Sequence, residues 1–251
     1  MSGHSKWSSI KHKKGAADAK RGKLFTKLSR AIIVAAQEGG PDPAANLALQ
    51  NAVEKARSYS MPKDNIDRAI AKGSGDAADA SAFQTVVYEG YGPEGVAVLI
   101  EALTDNRNRT AAEVRHAFAK FGGSLGTTGG VAWQFERRGV LLVPADGADE
   151  DELVLTAADA GADDVRRDGS TFEVTTAPEE LRRVREALEA AGFSVETAQL
   201  SMLPKTTVAI ADEATAKQVV HLVEGLEDVD DVQDVYANFD ISETLLEAVA
   251  S

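Results

Sequence analysis

An α+β multidomain fold is predicted for this 251-residue chain, with a helical N-terminal domain ahead of two domains that combine strands and helices. Three observations lead there. Apolar residues recur at helical spacing up to about residue 72, then switch to short alternating runs. Between Val140 and Leu200 the predicted elements follow the order β-α-β-β-α-β, the ferredoxin-like pattern. The stretches on either side each read β-α-β, and together complete a second ferredoxin-like domain if the middle series is an insertion. The expected boundaries are 1–80 for the helical domain with its basic arm, 81–137 plus 202–241 for the second domain, and 138–201 for the third, inserted in the second.

Taken in order, residues 1–19 show no apolar period, and Gly3 and Gly15 weaken any helix, so a mobile arm is expected. From Lys20 onward Leu24, Leu28, Ala31 and Ala35 define an amphipathic helix stopped by Gly39-Gly40. Asp42-Pro43 is read as opening a second helix, with Leu49, Val53 and Ala56 on its buried side. Pro62 starts a third, with Ile66 and Ile70 inward, ending at Gly73-Ser74-Gly75 before a small-residue linker. Thr85–Tyr88 and Val96–Leu103 read as strands about Gly90-Tyr91-Gly92-Pro93. Thr110-Ala111-Ala112-Glu113 has the capping-box pattern and predicts a helix burying Val114, Ala117, Phe118 and Phe121. A glycine-dense turn, Gly122–Gly130, then leads to an expected strand at Val131–Phe135.

In the middle series Val140–Val143 is a strand, Glu150–Ala160 a helix, and Asp164–Arg167 with Thr171–Thr175 a hairpin about Asp168-Gly169. Pro178–Ala191 is a helix and Ser194–Leu200 a strand. Thr206–Ile210, Thr215–Leu226 and Val232–Ala237 form the last β-α-β unit.

Composition excludes several chemistries. There is no cysteine, hence no disulfide, no thiolate metal site and no cysteine nucleophile. His4, His12, His116 and His221 lack metal-ligand spacing, and no Gly-x-Ser-x-Gly elbow occurs, so the expectation is a protein that is not an enzyme and uses no metal or cofactor. The Gly122–Gly130 run follows a helix and lacks a Gly-Lys-Ser/Thr ending, which argues against a nucleotide loop. Apolar runs such as Ala31–Ala36 and Val96–Ile100 are too short to span a bilayer, and no apolar signal core follows the N-terminal charges. A cytoplasmic protein without a membrane partner is expected. No coiled-coil seam is evident, which favours a monomer.

Charge is the informative feature. The chain carries 27 basic and 40 acidic side chains, a formal net charge of −13, yet Met1–Arg30 holds nine Lys/Arg against the single acid Asp18. Segregated positive charge in an acidic protein points to a polyanion partner such as a nucleic acid. Lys6, Lys11, Lys13 and Lys14 supply charge, His12 a donor, and Trp7 a face for stacking. Lys20, Arg21, Lys23, Lys27 and Arg30 continue the charge onto the first helix, where Lys20, Lys23 and Lys27 share one side as a phosphate track. Arg107 and Arg109 beside a helix start, and Arg115 one turn in, form a second candidate. The alternative is that Asn and Asp shape this turn while the arginines pair with acids such as Glu101 or Glu113. Asp149–Glu152 and Glu227–Asp231 read as exposed acidic turns, which leave open a scaffold that docks a basic protein.

The segments GHSKWSSIKHKKGAADAKRGKLFTKL, MPKDNIDRAI, YEGYGP, LTDNRNRTAAEVRHAF, GGSLGTTGGVAWQF and DDVQDVYANFDI resemble the YebC family in order and spacing, from Gly3 to about Ile241. Gly130 stands where many members carry Ser. The resemblance implies three domains, a helical one and two α+β ones. It also implies a non-enzymatic cytoplasmic regulator. Members are described as transcriptional regulators that bind promoter DNA. Others act in translation, on the ribosome or on ribosomal or messenger RNA, including relief of stalling at proline-rich stretches, and eukaryotic members include the mitochondrial translational activator of cytochrome oxidase. The family's basic N-terminal region maps onto Lys6–Arg30 and its Asn-Arg-Asn-Arg loop onto Asn106–Arg109.

Overall fold

A computed structural model describes residues 18–75 and 83–249. The predicted arm, with Lys6, Trp7, Lys11, His12, Lys13 and Lys14, lies outside the described residues, as does most of the expected linker. The protein is α+β, with N-terminal helices followed by antiparallel sheets. No helix of the described residues is long and apolar enough to cross a membrane.

Three helices come first: α1 (Asp18–Gly39), α2 (Leu47–Ser58) and α3 (Lys63–Ser74). The helical period does what it predicts. Leu28, Ile32, Ala35 and Ala36 of α1 meet Leu49, Val53 and Ala56 of α2 and Ile66 and Ala69 of α3 in one core. The start of α2 differs from expectation. Residues 42–46 form a turn, and Asn46 caps the helix by accepting from the Leu49 amide at 3.1 Å. The Asn46 side-chain amide also donates to the carbonyls of Ala35 (2.7 Å) and Gly40 (2.8 Å), which satisfies the end of α1.

The first sheet has the order β3-β1-β2-β9, from β1 (Gln84–Tyr91), β2 (Ala97–Thr104), β3 (Ser124–Leu125) and β9 (Val232–Ala237), with all pairs antiparallel. Helices α4 (Arg107–Lys120) and α7 (Glu213–Glu227) cover one face, so Val98, Ile100 and Ala102 pack on Val114, Phe118, Val219 and Val223. Gly90 is required by this packing, because a Cβ there would stand 2.5 Å from the Phe118 ring. On the other face Ala97, Leu99 and Tyr236 pack with Val131 and Phe135. This sheet departs from the expected second ferredoxin-like copy. β1 and β2 form the expected hairpin; the departures lie in the strands expected at 131–135 and 206–210. The expected strand at 206–210 contributes only β8 (Val208–Ala209), paired in parallel with β10 (Phe239–Asp240).

The second sheet has the order β5-β6-β4-β7, built from β4 (Phe135–Pro144), β5 (Ala162–Asp168), β6 (Thr171–Thr176) and β7 (Thr197–Pro204). Helices α5 (Glu150–Asp159) and α6 (Leu181–Ala190) close it around Leu141, Leu153, Phe172, Val174, Val184 and Leu188. The series is β-α-β-β-α-β with its first and third strands at the centre. Val131–Phe135 is not a strand. Ala132–Gln134 is a 3₁₀ turn, and β4 begins at Phe135, pairing with Pro204 of β7. The reason lies in Glu89, which takes the backbone amides of Val131 and Ala132 that strand pairing would use. A final helix, α8, spans Glu243–Val249.

Candidate nucleic-acid interface

The basic face of α1 meets the acidic turn that follows α7. Lys27 Nζ donates to the carbonyls of Glu227 (2.6 Å) and Val229 (2.7 Å), placing a cation at the negative end of the α7 dipole. Lys23, largely exposed, stands 3.3 Å from Asp230. Arg30 donates to Asp231 Oδ1 at 3.0 Å and to the Asp230 carbonyl at 3.2 Å, and its guanidinium lies over the Phe83 ring. Lys23, Lys27 and Arg30 thus contact their own chain. Of Lys20 and Arg21 only the backbone, within α1, is described. Farther along, Lys55 of α2 pairs with Asp234 at 2.5 Å.

The turn is not an exposed acidic run throughout. Asp231 is 2% exposed. Its Oδ2 accepts from Thr104 (3.0 Å), Thr110 (2.7 Å) and Arg109 (2.7 Å), while Oδ1 takes Arg30. Burial alone would raise the Asp231 pKa, but the bonds from Arg109, Thr110 and Thr104 outweigh it and hold the carboxylate below its ordinary range. One carboxylate therefore joins α1, the end of β2 and the start of α4. Nothing in the run of acids from Glu227 to Asp231 singles it out, and its partners lie far away in sequence.

The loop before α4 is resolved in the same terms. Asn106, not Thr110, is the N-cap and accepts from the Arg109 amide at 3.1 Å. Asn and Thr both suit that position, and the choice falls to Asn106 because the Thr110 hydroxyl is committed to Asp231. Arg109 is committed too, to Asp105 and Asp231, both at 2.7 Å, and these bonds raise its pKa further. The arginine does pair with acids, but with these two and not with Glu101 or Glu113. Arg107 and Arg115 are exposed, and neither forms a salt bridge among the described residues.

Between α1, α4 and α7 runs a cleft of about 800 Å³ lined by Lys23, His116, Lys120, His221, Glu224 and Asp228 among others. It brings together two histidines that are far apart in sequence, with Phe121 beside His221 and under Lys120.

The glycine-dense loop is organised from beneath by Glu89, which is 4% exposed. Its carboxylate accepts from the amides of Gly129 (2.6 Å), Val131 (2.6 Å) and Ala132 (2.7 Å). The amides that a phosphate would need are already given to a carboxylate of the same chain. Burial pushes Glu89 up, yet the three amides prevail and hold its pKa below the usual value. The available signal was an isolated acid between Tyr88 and Gly90, in a strand otherwise without one. Glu89→Gln sets a side-chain NH₂ against backbone donors. We expect it to cost about 1–3 kcal/mol, with faster hydrogen exchange at Gly129, Val131 and Ala132. Unchanged exchange at these amides would show that the carboxylate is not the clamp.

The TACO1/YebC N-terminal domain matches residues 5–76, and the TACO1/YebC second and third domain matches residues 83–239. A "probable transcriptional regulatory protein" of Rubrobacter xylanophilus is 58% identical over 250 residues, covering 100% of both chains. A similarly named protein of Desulfotalea psychrophila is 55% identical, again over 100% of each. The crystal structure of a conserved hypothetical protein from Aquifex aeolicus superposes with a TM-score of 0.78 at 50% identity, covering 89% of this chain and 92% of that one. The matches on both sides of residues 77–82, and relatives alike from end to end, place this chain in the TACO1/YebC family.

Proposed function

We propose that this protein is a non-enzymatic regulator of gene expression that works in the cytoplasm by binding nucleic acid, promoter DNA in the first instance, through Lys6–Arg30. The observation that carries this reading is charge segregation, with nine basic residues and one acid in the first thirty positions of a chain of net charge −13. The names of the relatives, probable transcriptional regulatory proteins, support a regulatory role. In this reading Lys6, Lys11, Lys13 and Lys14 supply the principal phosphate contacts, with His12 and Trp7 alongside. Lys20 and Arg21 extend them, and the exposed Arg107 and Arg115 add a second patch on α4. Lys23, Lys27 and Arg30 hold the helical domain against the second, Arg109 is committed within the second, and all four contribute less. The chain acts as a monomer on this view. Residues 138–201 form an insertion in the second domain, supported by the pairing of β2 with β9 across that segment (Val98 with Ala237). A scaffold for basic partners is disfavoured because the acidic turn at 227–231 is already engaged by α1.

Anisotropy of a labelled oligonucleotide, titrated at several salt concentrations, tests the reading. With about 6 phosphates neutralised, log affinity should fall against log salt with a slope of about −5. A slope near zero would sink the electrostatic account.

A further inference from the structure

Trp133 is 67% exposed and Tyr91 37%, although the side chains of both are bonded to the glycine-dense loop above Glu89. The indole Nε1 of Trp133 donates to the Gly130 carbonyl at 3.0 Å, and the Tyr91 hydroxyl donates to the same carbonyl at 3.0 Å. Gln134 Nε2 reaches the Tyr91 oxygen at 3.4 Å, and the Glu89 clamp fixes the amides on either side of Gly130. A large apolar ring is thus left in water while its one polar group is tied down. We propose that Trp133, with Tyr91 beside it, is a stacking platform for an unpaired base of a single-stranded nucleic acid.

The choice of ligand follows from which groups are already used. A proline-rich strand offers carbonyls and no amide hydrogens, so an aromatic groove that holds it must supply donors. Here the indole N–H and the phenol O–H are both spent on Gly130, and only ring surface is on offer. A base needs only that surface. Charge agrees. The Lys205 amide donates to the Gln134 carbonyl at 2.8 Å, and Arg137 lies just beyond on β4. Both are exposed, and neither has a salt-bridge partner among the described residues, whereas the neighbouring Glu136 is paired with Arg138 at 3.1 Å. Lys205 is therefore an available cation beside the platform, while Arg137 also faces Glu101 and the exposed acid Glu94 follows Tyr91 by three residues. A duplex keeps its bases stacked inside, so the platform selects unpaired strands. Because the ring is already held in place, little ordering remains to oppose binding.

This inference rests on the nucleic-acid reading above, and the test separates the two. The full chain, labelled with 5-fluorotryptophan, is followed by ¹⁹F NMR, with the Trp133 resonance assigned from Trp133→Phe. Probes are RNA and DNA single strands of about 12 nucleotides, the matching duplex, and a proline-only peptide. The single strand should shift the Trp133 resonance. Trp133→Ala should weaken single-strand binding about 5- to 100-fold, Trp133→Phe should recover most of it, and duplex affinity should stay within about twofold. Equal single-strand binding by wild type and Trp133→Ala, with the resonance unmoved, overturns the platform and leaves the nucleic-acid reading standing. A shift caused by the proline peptide and not by the strands overturns it in favour of a peptide site. Failure of wild type to bind any oligonucleotide overturns both.

Discussion

Replacing Asp231 by Ala is expected to remove about 3 kcal/mol of stability and to release α1 from the domain it rests on. The figure reflects a carboxylate with 3% of its side chain exposed, whose loss takes a shared acceptor from the Thr104 and Thr110 hydroxyls and from two guanidinium groups, leaving Arg109 with Asp105 and Arg30 with backbone carbonyls alone. It is kept below the upper range for buried ion pairs because Arg109 is 45% exposed and water can take over part of its solvation. Asp231→Asn separates charge from shape, since one amide oxygen can still accept from the threonines. It should fall between wild type and Ala. Urea unfolding, with hydrogen exchange along α1 as a local readout, decides the matter. A loss under about 1 kcal/mol with α1 protection unchanged would contradict the role given to Asp231. The pH dependence has a definite sign. The folded pKa is lowered, so the contribution is fully present above the unfolded carboxylate pKa and is lost as pH falls through the folded value. Glu89 acts in the same direction.

Reversing Lys13 and Lys14 to Glu is expected to have the largest effect on binding. Two phosphate contacts disappear and two repulsive charges replace them. Affinity at low salt should drop roughly 100-fold and the salt slope should flatten by about 2. The loss should be nearly uniform across sequences, since contacts to phosphate position a protein without reading bases. An affinity unchanged within about twofold would place the binding surface elsewhere. The same reversal should leave urea unfolding unchanged, as expected of two charged side chains that act on a ligand.

These two predictions differ in how far the sequence could anticipate them. The charge of the first thirty residues is local and can be read directly. The α1 core of Leu28, Ile32 and Ala35 and the element order from Val140 to Leu200 are likewise local, set by apolar period and turn residues. What the sequence hid was pairing at a distance. Asp231 gathers Arg30, Thr104, Arg109 and Thr110 from two domains, and no spacing encodes that meeting. The same contact explains why Thr110 does not cap α4. Glu89 likewise turns an apolar stretch that reads as a strand into a 3₁₀ turn by taking its amides. Lys23 and Lys27 share a helix face, as their spacing requires, but that face meets acids of the same chain. Trp133 was legible as an aromatic; its exposure with a tethered N–H was not.

The most direct measurement of the central claim is crosslinking in growing cells, followed by sequencing of all attached DNA and RNA, for wild type and the Lys13→Glu/Lys14→Glu protein. The account predicts recovered nucleic acid that falls away in the variant, with promoter DNA peaks expected for the transcriptional reading. Reads concentrated in ribosomal or messenger RNA, lost in the same way, would keep the basic segment as the binding site and move the protein to translation. Recovery unaffected by the charge reversal would contradict the account.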